Sequence, residues 1–233
     1  QGNYRRTVNA AVVTPRLAAP SILVDCARID EMKGVKDNGD SVTIGAATTH
    51  WDVLHNDIVK THVKLLADAT ATVADPQVRH RGTFGGALAH GDPAGDLPAV
   101  VLALDATMEI AGAKGRRQVA AKDFFVDYFT TAVGPDEILV SITIPKLGKG
   151  WGTCYEKFNR TASGWAVVGV AAAVKVEGGK ITDARIGLTN CAAVPVRASS
   201  VESALKGASI SAAEIEAASQ SAAEGTRATS DLA

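Results

Sequence analysis

Arg81-Gly82-Thr83-Phe84-Gly85-Gly86-Ala87-Leu88-Ala89-His90-Gly91-Asp92-Pro93-Ala94-Gly95-Asp96-Leu97-Pro98-Ala99 decides how this chain is read. It places five of the 22 glycines within 14 positions, from Gly82 to Gly95. Glycines in a loop let backbone N–H groups converge on an anion without interference from Cβ, which is what gripping a pyrophosphate requires. A Gly-Gly pair also serves as a tight structural turn, so the loop by itself leaves both uses open. It contains neither G-x-G-x-x-G nor G-x-x-x-x-G-K-[ST], so a nucleotide bound here is held by a scheme other than the nicotinamide-type Rossmann fingerprint or the P-loop.

The residues that follow, 97–104, read as a buried helix with Asp96 at its N-cap and Pro98 in its first turn. The same carboxylate can accept hydrogen bonds from sugar hydroxyls, and the two roles are compatible. Arg79 and Arg81 precede the loop and are read as solvated surface charges, with phosphate pairing as the alternative.

Upstream, residues 41–46 alternate as a short strand, and Thr49-His50-Trp51-Asp52 has capping-box spacing that starts a helix near His50. A second helix is predicted over 59–74, stopped by Asp75-Pro76. Downstream, strands flank a turn at Lys114-Gly115, 123–129 reads as a short aromatic helix, and 137–145 is a β-rich run ended by proline. Residues 147–150 form the predicted boundary. Beyond it, 151–158 alternates, 165–176 is a buried run, Gly178-Gly179 turns the chain, and 180–188 returns as a strand. Helical patterns close the chain at 197–206 and 211–224, the latter opened by Ser211 and Glu214. Strands followed by helices imply an α+β second domain, so the domains are set at 1–148 and 151–233.

Composition narrows the function. The 233 residues are 46% hydrophobic, with 24 Lys and Arg against 25 Asp and Glu, a net charge of −1 that offers no basic field for nucleic acid. The longest uncharged run, 161–174, is 14 residues, short of the roughly 20 that span a bilayer. The first six residues lack a signal-peptide pattern, and Cys26, Cys154 and Cys191 are far apart and odd in number; both features lead us to expect a cytoplasmic protein with reduced thiols. The five histidines form no H-E-x-x-H pair and no metal set, and no G-x-S-x-G elbow is present, so neither a metal site nor a catalytic nucleophile is expected.

The stretch 81–99 closely resembles the second flavin-binding motif of the molybdenum hydroxylase flavoproteins, the xanthine dehydrogenase family. Arg16-Leu17-Ala18-Ala19-Pro20-Ser21, Ile44-Gly45-Ala46-Ala47-Thr48-Thr49, Glu137-Ile138-Leu139-Val140 and Tyr155-Glu156-Lys157-Phe158 agree in order and spacing, so the resemblance covers nearly the whole chain. Through Asp123-Phe124-Phe125-Val126 and Tyr155-Glu156-Lys157-Phe158-Asn159-Arg160 it looks most like the medium subunits of aerobic carbon monoxide dehydrogenases. The resemblance implies an FAD domain of the p-cresol methylhydroxylase type, two α/β subdomains with the cofactor between them, followed by a small α+β C-terminal domain. It implies a role in a complex with a two-cluster [2Fe–2S] small subunit and a molybdopterin large subunit, in a dimer of heterotrimers. That role is to pass electrons from the iron–sulfur side through FAD to an external acceptor such as a quinone, while the substrate is oxidised in the partner.

Carried over by position, the resemblance implies that Thr83, Phe84, Gly85, Gly86 and Ala87 supply backbone and hydroxyl donors to the FAD phosphates and ribityl chain. Asp96 would bind cofactor hydroxyls, Leu139 would meet the adenine end, and Lys157 would make a cationic or hydrogen-bonding contact. The sequence departs from the family at two places. The family's other glycine-rich motif, A-G-G-[HQ]-S-L, is absent, with Ala11-Val12-Val13 running directly into Thr14-Pro15-Arg16-Leu17, and the chain ends at Ser230-Asp231-Leu232-Ala233 before the family's last helix. Because the flanks match, further residues are expected at both places in the full protein. Two other functions are compatible with the same residues: an assembly subunit that keeps the fold without FAD, and an NAD-reducing flavin subunit of a purine or aldehyde dehydrogenase.

Overall fold

The structure, a computed structural model, describes residues 24–228. The expected junction at 13–14, the segment 16–21 and the chain end at 230–233 lie outside the described residues.

The first unit is a five-stranded antiparallel sheet with helices on one face. Its strands are β1 (Val35–Asp37), β2 (Ser41–Gly45), β3 (Thr107–Gly112), β4 (Gly115–Ala120) and β7 (Glu137–Pro145), in the order β1-β2-β7-β3-β4. Alternation sorts the faces. Val42, Ile44, Met108, Ile110, Ile142 and Ile144 point inward and are fully buried, whereas Thr43 and Thr143 share a 2.9 Å hydroxyl contact on the other face.

The helices on the inner face are α1 (His50–His55), α2 (Asp57–His62), α3 (Lys64–Ala71), α4 (Pro76–Arg79), α5 (Phe84–His90) and α6 (Asp96–Ala103). Thr49 caps α1 as its spacing suggests, its hydroxyl oxygen accepting from Asp52 N at 3.1 Å; the Asp52 carboxylate, however, accepts from the Thr49 hydroxyl at 2.7 Å rather than from the Thr49 backbone N–H, so the reciprocal half of the capping box is not made. The single helix predicted over 59–74 is instead two. Asn56 caps α2 through Ile58 N and Val59 N, and Val63 (φ −135°, ψ 48°) breaks the helix so that its buried side chain joins the core. The helix predicted over 123–129 is also corrected. One turn, α7 (Ala121–Phe124), leads into a small hairpin of β5 (Phe125–Asp127) and β6 (Thr130–Thr131), with Phe129 at φ 49° in the bend. Consecutive aromatic and β-branched residues favour paired extended backbone, and Phe124 and Phe125 bury their rings edge to face at 5.1 Å.

The second unit is a four-stranded antiparallel sheet in the order β11-β10-β9-β8, made of β8 (Trp151–Phe158), β9 (Val168–Glu177), β10 (Lys180–Thr189) and β11 (Val196–Arg197). Gly178 and Gly179, at φ 57° and 78°, supply the two-residue turn predicted between β9 and β10. Strand β9 begins at Val168 rather than 165, leaving Trp165 on the surface. Helices α8 (Ser199–Leu205) and α9 (Ala212–Ser219) cover one face, both shorter than their sequence patterns, and Ser211 caps α9 by accepting from Glu214 N.

The other face of this sheet packs on α6 and α3 of the first unit. Gly187 of β10 makes this possible: a Cβ there would lie 2.3 Å from the Ala99 carbonyl oxygen, so only glycine lets strand and helix backbones come this close. The main core runs across the seam and takes in Tyr155 and Ala171, while a smaller core lies under α8 and α9.

Candidate functional site

The glycine-rich stretch folds as a loop, a seven-residue helix, a turn and a second helix. Thr83 is the N-cap of α5, and its hydroxyl oxygen accepts from Gly86 N at 3.1 Å. Phe84 N donates to the Thr48 carbonyl at 2.9 Å, Gly85 N to that of Ala46 at 2.9 Å, and Ala87 N to that of Thr83 at 3.0 Å. The amides of residues 84–87 are thus engaged within the protein. What the loop offers a ligand is the hydroxyl hydrogen of Thr83. Gly85 is required by packing, because a Cβ would lie 2.3 Å from Ala46 Cβ and 2.6 Å from Ala46 Cα. Phe84 is fully buried and anchors the helix to the core.

Gly91, at φ 64°, ends α5 in the left-handed conformation. Asp92 closes the turn by accepting from Ala94 N at 2.9 Å, and Gly95, not Asp96, is the N-cap of α6. The capping role considered for Asp96 is not realised: its carboxylate makes no cap bond and instead faces the second unit.

There the structure brings Asp96 and Lys157 together. Lys157 Nζ donates to Asp96 Oδ2 at 2.9 Å and to the Thr72 carbonyl at 3.2 Å, and the Tyr155 hydroxyl donates to Asp96 Oδ1 at 2.7 Å. The Lys157 and Asp96 side chains are 5% and 6% exposed. Burial raises the Asp96 carboxyl above the usual carboxylate range, and hydrogen bonds from Tyr155 and Lys157 oppose that rise. Thr189 adds a hydroxyl bond to the Gly95 carbonyl at 2.9 Å, and Asn190 N donates to the Pro93 carbonyl at 2.9 Å.

Beside this group lies a cleft of about 370 Å³ between the end of α3 and the end of β8, whose lining includes Thr72, Ala74, Tyr155, Glu156, Lys157 and Asn159, so that it carries one carboxylate as well as the ammonium. One cation from each unit holds the α3 side of the cleft. Arg79 Nη1 bonds the carbonyls of Val73 (2.7 Å), Ala74 (3.3 Å) and Ala71 (3.4 Å), and Lys157 takes that of Thr72. The reading of Arg79 as a solvated charge is therefore corrected: it caps the negative end of α3. Arg81 is exposed and makes no ion pair among the described residues.

Leu139 sits in β7, 3% exposed and opposite Ile110, as part of the main core. Its side chain is committed to packing there. His50, read as an ordinary surface or core histidine, is buried beneath Gly82, whose Cβ would lie 2.9 Å from its ring. Its Nδ1 has no partner, and burial depresses its pKa to about 4. No set of three or more potential metal ligands occurs among the described residues.

Sequence reading missed Tyr155 and Gly169 as members of the site. Alternation along β8 puts Tyr155 and Lys157 on one face, but nothing local identifies Asp96, 59 residues earlier, as their partner. Gly169, on the neighbouring strand, leaves the space in which the Tyr155 hydroxyl sits, since a Cβ there would lie 2.5 Å from that oxygen.

Tested for chemical fit, these residues suit FAD: an ammonium with one hydrogen still unassigned, the Thr83 hydroxyl hydrogen, and a polar-walled cleft all match an anionic, oxygen-rich ligand.

Comparison with known proteins agrees with this fit. Residues 7–147 match the FAD binding domain in molybdopterin dehydrogenase, and residues 153–233 match the CO dehydrogenase flavoprotein C-terminal domain. The chain is 38% identical over 207 residues to the carbon monoxide dehydrogenase medium chain of Hydrogenophaga pseudoflava, covering 89% of this chain and 72% of that one. It is 41% identical over 187 residues to the glyceraldehyde dehydrogenase medium chain of Sulfolobus acidocaldarius, covering 80% of this chain and 66% of that one. The solved carbon monoxide dehydrogenase from Hydrogenophaga pseudoflava that lacks the Mo-pyranopterin moiety superposes with a TM-score of 0.91 at 38% identity, over 95% of this chain and 77% of that one. With both halves matched in order, the chain belongs to the FAD-binding medium subunits of the carbon monoxide dehydrogenase-type molybdenum hydroxylases, a family of multisubunit oxidoreductases.

Proposed function

We propose that this chain is the electron-transfer subunit of a molybdenum hydroxylase complex, with aerobic carbon monoxide oxidation as the reaction it serves. When bound, FAD supplies the relay between the [2Fe–2S] clusters of a small subunit and an external acceptor, for which a quinone is our assignment. The molybdopterin cofactor sits in a large subunit, and the complex is a dimer of heterotrimers. The domains are 1–148 for FAD and 151–233 for the C-terminal part. We place the complex in the cytoplasm, peripheral to the inner face of the membrane; no helix among the described residues is long and apolar enough to cross one.

The observation that carries this reading is Lys157, an ammonium that is almost fully buried yet gives only two of its three hydrogens to the protein. A buried donor without a partner is costly, so a ligand oxygen in the adjoining cleft is the natural acceptor. In this assignment Lys157 binds an anionic or carbonyl oxygen of the cofactor, and Thr83 donates its hydroxyl. Gly86 and its neighbours admit the cofactor to the start of α5, Asp96 orients the site by holding Lys157, and Leu139 stands at the adenine end. No residue of this chain is required as a general base.

The engaged amides of residues 84–87 favour one second reading, an FAD-free assembly subunit. Gly86→Val in the purified complex separates the two. A β-branched side chain at the start of α5 obstructs approach to the loop, so flavin absorbance per complex should fall at least about tenfold. Wild-type flavin content in that variant would sink the assignment of the loop. Turnover with quinones against NAD then decides the acceptor.

A further inference from the structure

Tyr155 has a role that the cofactor reading leaves unassigned. Its hydroxyl is buried at the seam and donates to Asp96 Oδ1 at 2.7 Å, while Lys157 takes Oδ2 at 2.9 Å. The carboxylate is thus held by one donor on each oxygen, both from β8, and its direction is set by the pair rather than by α6. Gly169 keeps open the space that the hydroxyl occupies. Lys157, in turn, is tied to Asp96 and to the Thr72 carbonyl, and with those two hydrogens placed the tetrahedral ammonium has one direction left for its third.

We propose that Tyr155 is a positioning residue for the cofactor site: by fixing the Asp96 carboxylate it aims the remaining hydrogen of Lys157 at the cleft beside residues 72 and 74. The proposal rests on the reading of that cleft as part of the FAD site. Without the hydroxyl, Asp96 Oδ1 becomes a buried acceptor with no donor. The carboxylate then rotates toward Lys157 and draws the ammonium out of line, and ordering it again becomes a cost of binding.

The seam itself offers a control. At the far end of α6, Arg197 bonds the Leu102 carbonyl (3.3 Å), Asp105 (2.9 Å) and Glu202, so Arg197→Met weakens the same interface without touching the cleft. The ionisable groups facing Asp96 are Tyr155 and Lys157 from β8. His90 at the end of α5 and Asp92 in the turn that follows face each other at 3.9 Å, and β10 brings only the Thr189 hydroxyl. Tyr155 lowers the Asp96 pKa, so its removal raises it.

The test uses the intact complex after flavin removal, with the dissociation constant of added FAD measured by fluorescence quenching across pH. Tyr155→Phe should weaken FAD about tenfold, the usual size for a lost hydrogen bond to a buried charge. It should also move the acid-side loss of binding to higher pH. Gly169→Ala, which displaces the hydroxyl, should act in the same direction and serves if Tyr155→Phe does not fold. Arg197→Met should lower the melting temperature and leave the FAD constant unchanged. Wild-type affinity and pH profile in Tyr155→Phe, or in Gly169→Ala where that variant stands in for it, would overturn the proposal, as would an equal loss in Arg197→Met. Failure of the wild-type complex to take up FAD is a separate result that would remove the cofactor reading and this proposal with it.

Discussion

His50 shows how a single residue carries a property of the whole chain. It is 4% exposed, its Nδ1 has no partner, and its pKa is depressed to about 4 by burial and, to a lesser extent, by the Arg79 charge. The folded protein therefore holds this ring neutral while the unfolded chain protonates it near pH 6.5. Above pH 6.5 both states are neutral and no stability is lost; as pH falls from 6.5 toward 4 the unfolded state binds a proton that the folded state refuses. Stability should decline by roughly 3 kcal/mol across that window from this group. Urea titrations at pH 7 and pH 4.5 would measure the decline, and His50→Leu should remove most of it. An unchanged pH dependence in that variant would show that His50 is not the responsible group. A histidine between a threonine and a tryptophan gives no local sign of this burial, which follows from Gly82 lying over the ring.

At the scale of elements, α5 depends on its cap more than on its length. Seven residues are too few for a helix to persist on propensity alone. Thr83 supplies the one side-chain bond at the N-terminus, so Thr83→Ala should cost about 1 kcal/mol in chemical denaturation and Thr83→Ser should recover most of it. If Thr83→Ser were as destabilising as Thr83→Ala, the lost methyl group rather than the cap would be responsible. Capping signals such as Thr49 and Ser211 were legible because they are local in sequence: the cap and the amide it serves are three residues apart. Helix interruptions were less legible. Val63 fits a helical period, and it breaks the helix because burying its side chain outweighs one more turn of regular backbone. The 123–129 segment failed for a related reason, since its apolar spacing suits a helix while its aromatic and β-branched residues find partners across a hairpin.

For the molecule as a whole, α6 ties the two units together. Its first turn meets Tyr155 and Lys157, its middle lies under Gly187, and its end meets Arg197, with Asp105 also held by Arg185 at 3.0 Å. Gly187→Ala would put a Cβ 2.3 Å from a backbone oxygen that has no rotamer in which to retreat. The units would have to separate slightly along α6, at a cost of about 1–3 kcal/mol. Thermal unfolding should show the drop. A Gly187→Ala variant as stable as wild type would mean that the seam is more compliant than its packing indicates.

The sequence alone determined the features that rest on short-range chemistry. Strand alternation, the turn at 178–179, the N-caps at Thr49 and Ser211 and the glycine-rich stretch all place their partners within a few residues, and that stretch was specific enough to identify the family; the turn expected at 114–115 falls one residue earlier, at 113–114, because Gly115 pairs with Gly112. Tertiary structure decided what depends on partners distant along the chain. Asp96 meets residues 59 and 61 positions away, Arg79 caps a helix from outside it, and the amides of Phe84 and Gly85 are taken by the carbonyls of Thr48 and Ala46. The physical reason is desolvation: a buried charge or amide must find a partner, and which one lies within 3 Å is settled only when the sheets and helices have packed.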